Sequence, residues 1–229
     1  MYSVDQADPI IQPHALHWVL CEESYSLEKR QTIDEWELLE YTTDYCTYTK
    51  NEFCIVAFKG TSNASDIIQD LEITKFNIPD RALTLTPYVQ KLLEDYRVQL
   101  TGHSLGGAIA RVIGSGLSLG VVTFNQAAPP TGYVDNPSNS VNYHIVWDII
   151  SAWQTPAVRI DKNFRATSLL VAKSWANAHS LGAFANDRGG KIISADEEND
   201  IWQNWWNRLS VSSRVGLKLF VIKELPKIN

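Results

Sequence analysis

The chain has 229 residues, 45% hydrophobic and 20% charged, which suits a single folded domain over 1–229 and excludes disordered and collagen-like classes. Twenty Lys and Arg against 26 Asp and Glu leave a net charge of −6, which argues against a nucleic-acid binder held by phosphate neutralisation. Eight tryptophans imply either a large aromatic core or a surface made for an apolar partner.

The N-terminal stretch is acidic where a secretion signal would be basic and has no small-residue cleavage site, so neither signal nor anchor is expected. The longest uncharged run, 112–134, contains Asn125, Gln126, Pro129 and Pro130, which no lipid-spanning helix combines. A soluble protein is expected, cytoplasmic or exported by a non-classical route. Cys21, Cys46 and Cys54 match no zinc or redox spacing and read as free thiols. Residues 13–22 read as a helix, and 35–49 and 52–58 as β-rich segments joined by a turn at Lys50 and Asn51. Leu85, Val89, Leu92, Leu93 and Tyr96 have helical spacing, and a short strand follows at 98–101. After Gly102-His103-Ser104-Leu105-Gly106-Gly107, residues 108–117 continue as a helix with small residues in register. Strands are expected at 121–124 and 141–147, separated by a loop-rich stretch, the second ending at Asp148. This alternation indicates an α/β sheet with helices on its faces.

Gly102, Ser104 and Gly106 form a G-x-S-x-G motif, in which a serine sits on a strained strand-to-helix turn and the glycines let the two elements approach. The three fixed positions recur by chance in roughly one chain of this length in ten. Here the context raises the signal, because a β-rich Val98-Gln99-Leu100 precedes it and Gly107, Ala108 and Ala110 follow it.

A serine hydroxyl needs a base, and the base an orienting acid; on this kind of turn the chain order is Ser, acid, His. His14, His17 and His103 precede Ser104, and His144 leaves only Asp135 between. His179 lies beyond all three candidate acids, Asp135, Asp148 and Asp161. Asp135 falls in a Pro-rich loop and Asp161 among cations, whereas Asp148 ends the apolar run 143–147. Asp148 is preferred, with a helix-capping role as its bland alternative.

The ordered blocks Ile55-Val56-Ala57-Phe58-Lys59-Gly60-Thr61, Asp66, Asp70-Leu71, Thr101 through Ala108, Val122-Thr123-Phe124 and Asp148-Ile149-Ile150 resemble the class 3 (fungal-type) triacylglycerol lipases over roughly 53–182. The resemblance implies an α/β-hydrolase fold, with a central mostly parallel sheet and helices on both faces. It also implies hydrolysis of carboxylic esters without cofactor or metal, the ester belonging to a glyceride, a phospholipid or, in some members, a feruloyl group. Position by position it places the nucleophile on Ser104, the acid on Asp148 and the base on His179. The oxyanion donors fall on Thr61 and Leu105. Physically, the Leu105 N–H opens a helix whose dipole favours negative charge.

Three positions depart from the family pattern. Lys59 stands for an arginine, Asn125 for the glycine after the strand, and Trp147 for a small polar residue before the acid. The intervals between the triad positions are also shorter than expected of the fungal enzymes, so substrate choice is not carried over.

In the family the stretch after the oxyanion loop forms a lid, here 62–70 with Ile67 and Ile68; the alternative is an ordinary connecting helix. The stretch 201–229 carries five basic residues against Glu224 alone, so the rest of the chain is more acidic than the total shows. Trp202, Trp205, Trp206 and Leu209 share a helical face there. Basic and aromatic residues together suit an anionic membrane surface, but a terminal helix and strand that finish the core are favoured. The expected function is a serine ester hydrolase on lipid esters, of triacylglycerol lipase or phospholipase A1 type. Its competitors are a catalytically silent hydrolase-fold binding protein and an acyltransferase using the same acyl-enzyme.

Overall fold

Period-two alternation in β4 (Phe53–Phe58) and β5 (Arg97–His103) sorts their side chains onto two faces. Ile55 and Ala57 join Trp18, Leu20, Val122 and Phe124 in one core, while Val56, Phe58, Val98 and Leu100 join Ile109, Ile113 and Val89 in the other. Helices therefore cover both sides. The first core packs α1 (Ala15–Tyr25), and the second packs α2 (Leu71–Leu92) and α3 (Leu105–Leu117).

The computed structural model describes residues 1–61, 71–128, 140–148, 151, 158–162, 177–186 and 189–208. Within them one sheet runs in chain order from β1 (Thr32–Ile33), β2 (Trp36–Tyr41) and β3 (Tyr45–Lys50) through β4 and β5. It continues through β6 (Gly120–Phe124), β7 (Ser140–Ile145) and β8 (Val158–Asp161) to β9 (Lys191–Ile193). The five strands β4 to β8 are parallel, and β1 to β3 and β9 add antiparallel edges. A further helix, α4 (Ala195–Arg208), follows β9. Among the described residues no helix is long and apolar enough to cross a membrane.

Several boundaries differ from the sequence reading, each for a local reason. Pro13 sits in a 3-10 turn, Gln12–His14, so the helix proper begins at Ala15 and reaches Tyr25 rather than residue 22. The stretch 35–49 is two strands, because a turn at 42–44, with the Asp44 N–H on Thr42 Oγ1 at 3.1 Å, separates β2 from β3; before it, Asp34 and Glu35 take φ of 47° and 67° in a two-residue hairpin that adds β1. Helix α2 starts fourteen residues earlier than its apolar spacing indicates and ends at Leu92, with 93–96 in turns. Strand β7 stops at Ile145; the Asp148 N–H bonds the Ile145 carbonyl at 2.8 Å, so a turn, not the strand, presents Asp148.

The N-terminal segment clasps the far end of the chain. Ala7 bridges Ala185, the Asp8 N–H donates to the Phe184 carbonyl at 2.9 Å, and the Trp18 indole donates to the Leu181 carbonyl at 2.9 Å. Beneath this contact a buried Lys162–Asp8 ion pair of 2.7 Å is completed by a 3.0 Å bond from Lys162 to the Ala185 carbonyl. Removing one partner of such a pair costs roughly 3–5 kcal/mol, because the other charge is left buried and alone.

Trp147 packs edge-to-face on Trp202 at 5.0 Å and meets Trp205 at 6.2 Å, so these two tail tryptophans lie against the loop before Asp148. The remainder of the tail from 209, the lid candidates Ile67 and Ile68, and Asp135 lie outside the described residues.

Candidate active site

Ser104 lies between the end of β5 and the start of α3 with φ 56° and ψ −127°, a strained conformation for a residue with a side chain. The neighbouring glycines make the turn possible. A Cβ on Gly102 would stand 2.3 Å from the Gly106 backbone, and one on Gly106 would stand 2.1 Å from the Phe58 carbonyl oxygen. The turn is tied to β6 by the Ser104 N–H on the Phe124 carbonyl at 3.2 Å, and the Ala127 N–H bonds the Ser104 carbonyl at 3.0 Å.

Three residues from three separate connections meet here. His179 Nε2 is 2.8 Å from Ser104 Oγ, and His179 Nδ1 is 2.9 Å from Asp148 Oδ2. All three are buried, at 1%, 3% and 0% exposure for Ser104, His179 and Asp148. Burial pushes the Asp148 carboxyl up, but the charge and hydrogen bond of His179, the charge of His144 and a hydrogen bond from Ser151 outweigh it and hold the group below the usual carboxylate range. An ionised Asp148 only accepts, so His179 carries its hydrogen on Nδ1 and presents a bare Nε2 to the serine hydroxyl. Asp161, the acid set aside, lies at the end of β8 and pairs with Lys191 at 3.9 Å.

Thr61 and Leu105 sit on either side of a tight contact. Gly106, in the first turn of α3, abuts the backbone of Phe58 and Lys59, and Gly60 abuts the His103 carbonyl and the Gly106 N–H, so the end of β4 is pressed against the serine turn. The Leu105 N–H, at the first helical position, has no intrahelical acceptor. The Lys59 carbonyl is met by Arg81 Nη2 at 3.4 Å; the same nitrogen bonds Asp44 at 2.7 Å. With lysine at 59, an arginine from α2 braces this loop.

Two residues that spacing could not single out tie together the segments around Ser104, Asp148 and His179. Asn125 is fully buried at φ 44°; its Nδ2 donates to the carbonyls of Ala178 at 2.7 Å and His179 at 3.2 Å, and its Oδ1 accepts the Ile145 N–H at 2.9 Å. Asn125 therefore combines a left-handed backbone with a side chain that ties the segment carrying His179 to β7. Tyr25 Oη accepts the Gly60 N–H at 3.1 Å and lies 3.0 Å from His103 Nδ1, while His103 Nε2 lies 2.6 Å from the His179 carbonyl. The departure of Asn125 from the family pattern was a visible signal; nothing local marks Tyr25.

Residues 82–119 match the class 3 lipase family. The class 3 lipase match thus runs from α2 through β5 and the Ser104 turn to the end of α3. Comparison with solved structures finds the Rhizomucor miehei lipase propeptide complex, 15% identical, covering 66% of this chain and 68% of that one with a TM-score of 0.41. It also finds a mutant form of MDLA from Penicillium cyclopium, 16% identical, covering 70% and 69% with a TM-score of 0.40. Comparison with curated proteins finds no match. With parallel central strands covered on both faces and a serine turn after β5, the chain has an α/β-hydrolase fold.

Proposed function

We propose that the protein is a serine carboxylic ester hydrolase acting on lipid esters, of triacylglycerol lipase or phospholipase A1 type, with Ser104 as nucleophile, His179 as base and Asp148 as orienting acid. The observation that carries the reading is the 2.8 Å and 2.9 Å relay through His179, on a strained serine at a helix start. The 82–119 match to the class 3 lipases directs it to lipid esters.

In the first half-reaction Ser104 Oγ attacks the ester carbonyl carbon as its proton passes to His179 Nε2, and Asp148 stabilises the resulting imidazolium. The carbonyl oxygen becomes an oxyanion that takes hydrogen bonds from the N–H groups of Leu105 and Thr61. Each such donor is worth about 10² to 10³ in rate. His179 then protonates the departing alcohol, leaving an acylated Ser104. In the second half-reaction water loses a proton to His179 and attacks the acyl carbon through the same oxyanion; as the carbon–Oγ bond breaks, His179 returns that proton to Ser104 Oγ and the acid leaves.

Fluorophosphonate labelling of the whole chain tests the assignment. Wild type is expected to be labelled and Ser104→Ala not; an unreactive wild type, or a labelled Ser104→Ala, rejects it. Hydrolysis is then compared on a water-soluble short-chain ester, a triglyceride emulsion and phospholipid vesicles. Activity confined to the short ester would sink the lipid part of the proposal, and transfer of the acyl group to an added alcohol in preference to water would favour the acyltransferase.

A further inference from the structure

Beyond Asp148 the hydrogen bonding continues through four side chains that the hydrolytic steps do not use. Ser151 Oγ is 2.5 Å from Asp148 Oδ2, and His144 Nδ1 is 2.6 Å from Ser151 Oγ. His144 Nε2 is 2.8 Å from Glu198 Oε1 on α4, and Arg159 Nε on β8 is 2.6 Å from Glu198 Oε2. Ser151 and His144 are as buried as the triad.

The hydrogens in this chain can be placed by counting. Ionised Asp148 only accepts, so the Ser151 O–H points at it. Ser151 Oγ then offers His144 only lone pairs, and the hydrogen in that contact must sit on His144 Nδ1. At the other end, Arg159 is always charged and keeps Glu198 ionised. Burial raises the Glu198 carboxyl, but His144 and Arg159 together hold it below its usual range. A carboxylate accepts only, so His144 Nε2 carries a hydrogen as well.

We propose that His144 is held as a buried imidazolium, and that Ser151, His144, Glu198 and Arg159 act together as positioning residues for Asp148 and, through it, for His179. Charges then alternate inward from Arg159 to Asp148, so each buried ion has a partner of opposite sign. The role in hydrolysis rests on the proposed function above; the charge state of His144 does not.

The consequence for His179 has a sign. The Ser151 hydroxyl and the His144 charge both draw on Asp148, leaving less of its negative charge to favour protonated His179. Weakening either makes His179 easier to protonate, and the acid limb of kcat/KM moves to higher pH. The groups facing this system are His103, whose ring lies 4.8 Å from that of His179, Ser104 and Asp148 around His179, and Ser151, Glu198 and Arg159 around or beyond His144. Asn125 Oδ1 also approaches Ser151 Oγ, at 3.4 Å.

The test is ¹⁵N NMR of the histidine rings in the intact protein, for wild type, Ser151→Ala and Glu198→Gln. Wild-type His144 is expected to show hydrogens on both nitrogens at pH 7; a neutral ring overturns the proposal. In Glu198→Gln the amide oxygen accepts from a neutral His144, whose Nδ1 then takes the Ser151 hydrogen away from Asp148. This distant change is therefore expected to copy Ser151→Ala, raising the midpoint of the His179 titration and lowering kcat about tenfold at little change in KM, the loss of one charge-assisted hydrogen bond. An unmoved His179 midpoint in both variants overturns the positioning role even if kcat falls. All ring titrations are read without substrate, so failure of fluorophosphonate labelling rejects the hydrolase reading and leaves the His144 result to stand or fall separately.

Discussion

Tyr25 and His103 share a 3.0 Å hydrogen bond whose direction is fixed by what lies at either end. His103 Nε2 faces the His179 carbonyl at 2.6 Å and must donate, so Nδ1 accepts from the Tyr25 hydroxyl, which itself accepts from Gly60. The Gly60 loop, His103 beside Ser104 and the backbone of His179 are thus joined through one phenol and one imidazole. Tyr25→Phe keeps the ring and leaves the Gly60 N–H and His103 Nδ1 without this partner. The expected result is a roughly tenfold slower fluorophosphonate reaction and a loss of about 1–3 kcal/mol in urea unfolding. Unchanged labelling would show that the phenol does not align the site.

Asn125→Gly separates the backbone from the side chain at that position. Glycine adopts φ 44° without strain, so β6 and its turn are retained. The Ala178 carbonyl and the Ile145 N–H lose their bonds to Asn125, the His179 carbonyl keeps only His103, and His179 is less firmly held. Labelling of Ser104 is expected to slow by about 10- to 100-fold, in line with two or more lost buried hydrogen bonds. A variant that labels at the wild-type rate would remove Asn125 from the positioning of the base.

Acid lability follows from two histidines that the fold keeps neutral. Burial lowers His103 to about 3, helped by the nearby His179, and lowers His17 to about 4, helped by His14. Below about pH 6.5 the unfolded chain takes up protons that the folded one refuses. Stability is therefore fully present above that pH and falls as pH drops toward 4 for His17 and 3 for His103, by up to about 1.4 kcal/mol per pH unit for each. His17→Gln removes one of these contributions. Urea midpoints at pH 7, 5.5 and 4.5 are expected to fall less steeply in the variant; identical slopes would exclude His17 as a source.

Two glycines of α3 are expected to respond oppositely to alanine. In Gly106→Ala the new methyl would meet the Phe58 carbonyl oxygen at 2.1 Å, a backbone atom that cannot turn aside. A loss of about 3 kcal/mol or more and no labelling of Ser104 are expected. Gly116 has open space around it, and Gly116→Ala is expected to stabilise by about 0.5–1 kcal/mol through helix propensity, raising Tm by about 2–4 °C. A stable, labelled Gly106→Ala protein would contradict the packing of the serine turn.

What was legible in the sequence was local. The glycines around Ser104 announce a close approach, and the β-rich composition of 52–58 and 98–101 announces strands, because both are properties of neighbouring residues. Chain order was enough to choose His179, and a position after an apolar run enough to choose Asp148, which the structure brings within hydrogen-bond reach of one another. The start of α2 was not legible because Pro79 lies within the helix, and a proline at that place reads as its boundary. Tyr25 and Glu198 were not legible because each acts across a contact that only the folded sheet creates, 78 residues from Tyr25 to His103 and 54 from His144 to Glu198, while Ser151 lies three residues from Asp148 in a stretch with no motif to mark it. His144 was weighed only as a base, a role in which its buried partners have no part.

The sequential order of the sheet lets each strand form beside the one made just before it, from β1 through β9. The clasp between the N-terminal segment and the loop after His179 is different in kind: Trp18 reaches across 163 residues to the Leu181 carbonyl. Closing so long a loop comes late, since shorter loops cost less entropy to shut. Ser104 can therefore be in place while the loop after His179 is still unanchored, and recovery of Ser104 reactivity during refolding is expected to time this long-range closure rather than the assembly of the sheet.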